Sequence, residues 1–274
     1  MSMLLRGAPA AAALNEKTAQ LVSGLREKGV VPTLAIVRLG AREDDLSYER
    51  AAVKRCAAVG IETRCVSLPE NASGEALEET LRSLSADASV HGILLLRPLP
   101  AALDEARILR AIAPEKDVDG AAEGSLAAVY AGTDEGFAPC TAEACLHLLR
   151  AYGFDPAGRR VTVVGRSLVI GRPAALLLTR ADATVTLCHR KTPDLAARCR
   201  EADILLAAAG APGLITPACV HPEQIVLDAG VTALPDGTLL GDVAAEAAEA
   251  VAACTPVPGG VGSITTALLL LHIV

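Results

Sequence analysis

VTVVGRSLVIGRP, running from Val161 to Pro173, passes from a block of β-favouring residues through a glycine turn into the start of a helix. Val161 to Val164 suit a buried strand, because branched side chains pack well on a pleated surface. Gly165 permits a tight turn, Gly171 a close backbone approach, and Pro173 carries the fixed φ of a first helical turn ahead of the apolar run Ala174 to Leu178. Backbone N–H groups at such a turn face outward and bind phosphate. The spacing is G-x5-G rather than G-x-G-x-x-G, so taken alone it fits a dinucleotide site and a plain strand–turn–helix equally well.

The next segment shifts that balance. A second strand follows at Thr184 to Leu187 and ends in Cys188-His189-Arg190-Lys191-Thr192. In a Rossmann unit this is where an acidic residue holds the ribose hydroxyls of NAD, or where a basic one accommodates the 2′-phosphate of NADP. Here the place is basic. Arg166, Ser167, Arg190 and Lys191 together favour NADP, with a solvated basic turn as the alternative.

Working outward, strands near 203–207 and 225–228 complete a doubly wound sheet, with Gly241-Asp242-Val243 beyond them. Its ligands belong at the carboxyl ends of the strands. Upstream, a helix over 8–28 ends at Gly29, a strand covers 32–39, and Ser47 caps a helix that stops at Gly60. A strand over 62–68, a helix over 73–85 and a strand over 90–96 follow, a spacing that makes parallel βαβ units. The fold class is therefore α/β with two α/β domains. Residues 1–140 form the first, 141–263 the Rossmann-type second, and the closing helix within 264–274 packs back on the first.

Composition narrows the function. Aromatic residues make up 2% of the 274 and the net charge is −7, which argues against nucleic acid and against an anionic membrane surface. No apolar stretch is long enough to span a bilayer, and the N-terminal segment lacks the pattern of a secretory signal. The eight cysteines show no ligand spacing, so they read as reduced, mostly buried residues of a cytoplasmic protein with no metal site. The five histidines show no ligand spacing either.

Four segments in order then resemble signatures of the methylenetetrahydrofolate dehydrogenase/cyclohydrolase family: GRSLVIGRP, KDVDG at 116–120, PCT at 139–141 and TPVPGGVG at 255–262. The resemblance implies two domains around a cleft, tetrahydrofolate derivatives as substrates, NADP as cofactor and a homodimer. Carried over residue by residue, it places Tyr48 and Asp119 at the chemistry. Tyr48, Ala52, Leu95, Leu96, Arg97, Asp119, Pro258, Gly259, Gly260 and Gly262 would surround the folate. Gly165, Arg166, Ser167, Gly171, Arg190, Lys191 and Val231 would contact the cofactor. Asp119 would hold the polar edge of the pterin, its other reading being a loop or cap aspartate; Asp242 reads equally as structural or as a cofactor residue.

The chain departs from the family where the resemblance matters most. The family's Tyr-x-x-x-Lys becomes Tyr48-x-x-x-Ala52, and its G-I-L-V-Q-L-P-L-P becomes G-I-L-L-L-R-P-L-P, so Leu96 stands for glutamine. Ala142 and Ala144 replace Pro and Gly after PCT, and Ser263 replaces Pro after GGVG. Lys54 points away from Ala52 around the helix, and strand alternation turns Arg97 to the face opposite Leu96. Arg55 shares the Tyr48 face, but a guanidinium stays protonated and makes a poor base. The expectation is an NADP-dependent dehydrogenase with weak or absent cyclohydrolase activity. A non-catalytic folate- or nucleotide-binding relative is the alternative, and an enzyme acting on another substrate a third.

Overall fold

The strand expected at Val161 runs from Arg160 to Val164 inside a six-stranded sheet of the computed structural model, which describes residues 2–274. In spatial order the sheet holds Met3–Leu4, Ala253–Cys254, Ile225–Asp228, Ile204–Ala207, Arg160–Val164 and Thr184–Cys188, every pair parallel. The chain leaves Arg160–Val164 toward Thr184–Cys188 on one side and returns to Ile204–Ala207 on the other. That reversal opens the crevice of a doubly wound fold beside Gly165. Val163, Leu205, Leu206, Val226 and Cys254 are fully or almost fully buried, as a sheet covered on both faces requires.

The chain divides into two compact units. One holds the residues up to Ala12 together with Pro139–Leu268, and the other holds Ala13–Ala138 with Leu269–Val274. The first dozen residues thus lie with the Rossmann sheet, not with the 1–140 segment. Leu5 N–H donates to the Cys254 carbonyl at 2.9 Å, and its side chain is fully buried. A two-residue strand carries no periodicity from which this could be read. The last six residues lie with the other unit, where the His272 ring Nδ1 sits 2.9 Å from the Val118 carbonyl oxygen.

That unit is built on a three-stranded parallel sheet ordered Glu62–Leu68, Thr33–Leu39, Gly92–Leu95. Ala35, Val37, Leu77, Leu81, Ile93 and Ile108 form its core. The helix expected from Ser47 begins earlier, at Glu43, and reaches Val59, where Gly60 closes it at φ 84°. Glu43, Asp44 and Asp45 crowd its first turn, where the positive end of the helix dipole favours acids, so the helix starts four residues ahead of Ser47. The strand expected to reach Leu96 ends at Leu95. A helix at Glu123–Ala131 was not expected; its small and apolar residues do not gather on one face.

Candidate functional site

Past the carboxyl end of Gly92–Leu95 lies a cavity of about 390 Å³. Tyr48 and Leu95, Leu96, Arg97 and Asp119 all line it, together with Arg42, Asp44, Asp45, Leu94 and Pro98, which the sequence reading did not single out. Tyr48 comes from the second turn of Glu43–Val59 and is 44% exposed. Ala52, one turn on, is buried at 6% and is not part of the lining. Arg42 donates to the Pro98 carbonyl at 3.1 Å and lies 3.7 Å from Asp45, which ties the start of that helix to the segment after Leu95. The run Glu43-Asp44-Asp45 was the available signal for this end of the site.

Arg97 lies two residues past the strand end at Leu95, and both Leu96 and Arg97 line the same cavity. Arg97 Nη2 donates to Asp119 Oδ2 at 2.8 Å and Nη1 to Glu105 Oε1 at 3.3 Å. Burial works against the Arg97 charge, but Asp119 and then Glu105 outweigh it and hold the guanidinium above its ordinary pKa. Burial likewise pushes the Asp119 carboxyl above the usual value; Arg97 and His272 oppose this and Asp117 adds to it. Lys54 and Arg55 are exposed and are not in the lining, so among the described residues its cations are Arg42 and Arg97.

The turn that presents Asp119 is fastened from two sides. Asp117 is buried and accepts from Ala122 N–H and Ser125 Oγ, each at 2.7 Å. His272 meets the Val118 carbonyl and stacks on Phe137 with ring centroids 4.3 Å apart. Asp119 is thus a loop residue whose own bond goes to Arg97, not a helix cap.

In the Rossmann unit the other predicted residues gather at the carboxyl ends of the strands. Gly165 has φ 125°, and a Cβ there would collide with the Ala208 carbonyl; a Cβ at Gly171 would collide with the Gly165 carbonyl. Only glycine fits either place. Arg166 and Ser167 are exposed ahead of the helix Gly171–Arg180, and Ser167 Oγ accepts from Ile170 N–H at 3.1 Å. Gly165 N–H donates to the Cys188 carbonyl at 2.9 Å, which brings the exposed Arg190 and Lys191 turn beside the glycine turn. Val231 is 56% exposed past the end of Ile225–Asp228.

Asp242 has a structural task. It is fully buried and accepts from Ala209, Gly210 and Ala211 N–H at 2.6, 3.1 and 2.7 Å, which pins the loop after Ile204–Ala207. Neighbouring Asp228, also buried, accepts from Gly230, Asp242 and Val243 N–H, and burial pushes its carboxyl up to about 6. Of the later glycines, Gly260 is pressed against Pro256 and Thr255. Gly259, at φ 99°, and Gly262 face open space, and Pro258 is exposed. The close approach allowed by Gly260 is therefore to the protein's own backbone.

Residues 5–119 match the family model described as "Tetrahydrofolate dehydrogenase/cyclohydrolase, catalytic domain", and residues 139–274 match its NAD(P)-binding domain. The chain belongs to the tetrahydrofolate dehydrogenase/cyclohydrolase family. Among its relatives, the bifunctional protein FolD of Alkaliphilus oremlandii is 43% identical over 274 residues, covering 100% of this chain and 96% of that one. The crystal structure of the bifunctional FolD enzyme from Campylobacter jejuni superposes with a TM-score of 0.96 at 36% identity, covering 100% of this chain and 97% of the other. The Trypanosoma brucei FolD structure, complexed with NADP cofactor and inhibitor, gives 0.90 at 36% identity with 99% and 96% covered. Within this family, the cavity beside Tyr48 lies in the catalytic domain and the Gly165 turn in the NAD(P)-binding domain. No described helix is long and apolar enough to cross a membrane, and no described cluster of His, Cys, Asp or Glu is arranged to hold a metal ion.

Proposed function

We propose that the protein oxidises 5,10-methylenetetrahydrofolate to 5,10-methenyltetrahydrofolate with NADP, and that its cyclohydrolase activity is weak or lost. The observation that carries this reading is the cavity beside Tyr48, with carboxylates in its wall and no lysine or histidine among its lining residues.

The cofactor fits the turn at Gly165. Close backbone approach at Gly165 and Gly171, the N-terminus of Gly171–Arg180 and the basic pair Arg190-Lys191 suit a phosphorylated dinucleotide. Arg166, Ser167 and Val231 would hold it along the same strand ends. NADP supplies the hydride acceptor when bound.

Folate lies against Tyr48, Leu95 and Leu96 in this reading, with the polar edge of its pterin on Asp119. Losing a hydride leaves positive charge spread over two ring nitrogens of the substrate. Asp44, Asp45 and Asp119 outnumber Arg42 and Arg97 in the wall, so the field there favours that charge. Opening the methenyl ring with water is a different demand. Positioned acid–base groups contribute roughly 10²–10⁴-fold to such steps. Ala52 and Leu96 offer none, and guanidinium groups do not take up protons.

The same reading makes the protein a cytoplasmic homodimer. All eight cysteines are free. The edge strand Thr184–Cys188 leaves Leu187 40% exposed and one rim of the sheet unpaired, which suits pairing with a second copy. Mixing the enzyme with methylenetetrahydrofolate and NADP⁺ tests the central claim. NADPH should form while methenyltetrahydrofolate accumulates; rapid conversion to the 10-formyl product would show that hydrolysis survives, and no NADPH would remove the dehydrogenase reading.

A further inference from the structure

Arg97 stands where the family signature quoted above carries leucine, and its surroundings assign it more than a packing task. A guanidinium has five N–H donors. Two are engaged, one by Glu105 and one by Asp119, and among the described residues the others have no protein partner, although the side chain is largely buried in the cavity wall. Asp119 is the complement of this: its Oδ2 takes the Arg97 bond, while its Oδ1 has no donor among the described residues. Donor N–H, bonded Oδ2 and open Oδ1 therefore follow one another along the edge of the cavity.

That order is complementary to one side of a 2-amino-4-oxopyrimidine ring, which presents a carbonyl acceptor, a ring N–H and an amino group in succession. We propose that Arg97 is a specificity-determining residue that donates to the 4-oxo oxygen of the pterin while Asp119 accepts from the ring N–H and the 2-amino group. The inference rests on the folate reading of this cavity and deepens it. Glu105 holds the far end of the guanidinium, so its plane is fixed before the ligand arrives. A fixed donor at this point also works by exclusion. A ring with an amino group at position 4 would set donor against donor, and a site built to pair with one polar group rejects an analogue that cannot supply it.

Calorimetric titration with folic acid and with its 4-amino analogue tests this on the full-length wild type and on Arg97→Leu and Arg97→Lys. Wild type is expected to bind the 4-oxo ring ten- to a hundredfold more tightly, roughly the worth of a hydrogen bond to a charged group. Arg97→Leu should lower the ratio several-fold, the remainder resting with Asp119 because the 4-amino ring has no N–H at position 3, and Arg97→Lys, which keeps a donor without the fork, should restore part of it. A role confined to holding Asp119 in place would weaken both ligands alike and leave the ratio unchanged in Arg97→Leu, which would overturn the proposal. Equal affinity of wild type for the two rings would overturn it as well, with the folate reading intact. Failure of wild type to bind either ring would overturn both. Far-ultraviolet circular dichroism of each variant confirms that ratios are compared between folded proteins.

Discussion

Arg97 and Asp119 are joined at 2.8 Å across 22 residues of sequence, one just past the end of an edge strand of the three-stranded sheet and the other on the turn that borders the cavity. Both side chains are partly buried, so the charge state of Asp119 leans on the guanidinium beside it, while Arg97 stays protonated. Truncating Arg97 leaves the Asp119 carboxylate without its counter-charge, and that carboxyl should then take up a proton more readily.

Substrate affinity should fall in acid as Asp119 takes up a proton and can no longer accept two ring donors. Burial raises this carboxyl above 3.8 and Asp117 adds to the rise, whereas Arg97 and His272 pull it down. The acid limb of kcat/KM therefore lies above the ordinary carboxylate range. Arg97→Leu removes a lowering influence and should move the limb to higher pH, and Asp119→Asn should abolish it. A limb that moves down in Arg97→Leu would contradict this account.

Ala52→Lys combined with Leu96→Gln should raise cyclohydrolase turnover by about tenfold or more, read as 10-formyl product formed from methenyl substrate. Both positions are buried, at 6% and 8%, so the lysine alone should lower stability by a few kcal/mol, on the order expected for an unpaired buried charge. No gain in turnover from a folded double variant would mean that the pocket differs from the family's more widely than at these two places.

Selection of NADP should depend on the turn after Thr184–Cys188. Removing both charges with Arg190→Ala and Lys191→Ala is expected to raise KM for NADP⁺ by roughly tenfold or more and leave KM for NAD⁺ nearly unchanged. Equal losses for the two cofactors would point to a general weakening of the site.

Asp242→Ala should destabilise the protein by about 3 kcal/mol or more, because three backbone N–H groups lose their acceptor together. Urea titration measures it. A loss within about 0.5 kcal/mol, the range of ordinary surface changes, would show that the 209–211 loop is held by something else.

Thiol labelling should single out Cys65. It is exposed, whereas the other seven cysteines are buried, and burial pushes Cys145, Cys199 and Cys254 up to about 12. One thiol should react readily in the native protein and all eight in denaturant. Fast reaction of a second native thiol would reveal local opening around it.

Where sequence forces a local conformation, the reading from sequence and the structure coincide. Gly60 ends its helix in the left-handed region, the helix expected over 73–85 runs from Gly74 to Ala86, and Val161 to Val164 form a strand that breaks at Gly165. Tertiary pairing was less visible. Met3–Leu4 is a strand because Ala253–Cys254 offers it an edge, and nothing within the two residues says so. Alternation assigns faces within a strand but does not say which cavity a residue past its end will line, so the place of Arg97 in the wall came from the structure. The loss of lysine and glutamine could be seen at once, but the arginine–aspartate pair beside them required coordinates, since 22 residues separate its members.

The crossed bookkeeping of the two ends makes this chain hard to dissect. Severing it between Ala138 and Pro139 would send Leu5 away from the sheet that buries it and would strip His272 from the turn bearing Asp119. Neither fragment would be a whole folding module. An exchange of halves between relatives would therefore need to trade the segments around Leu5 and His272 as well.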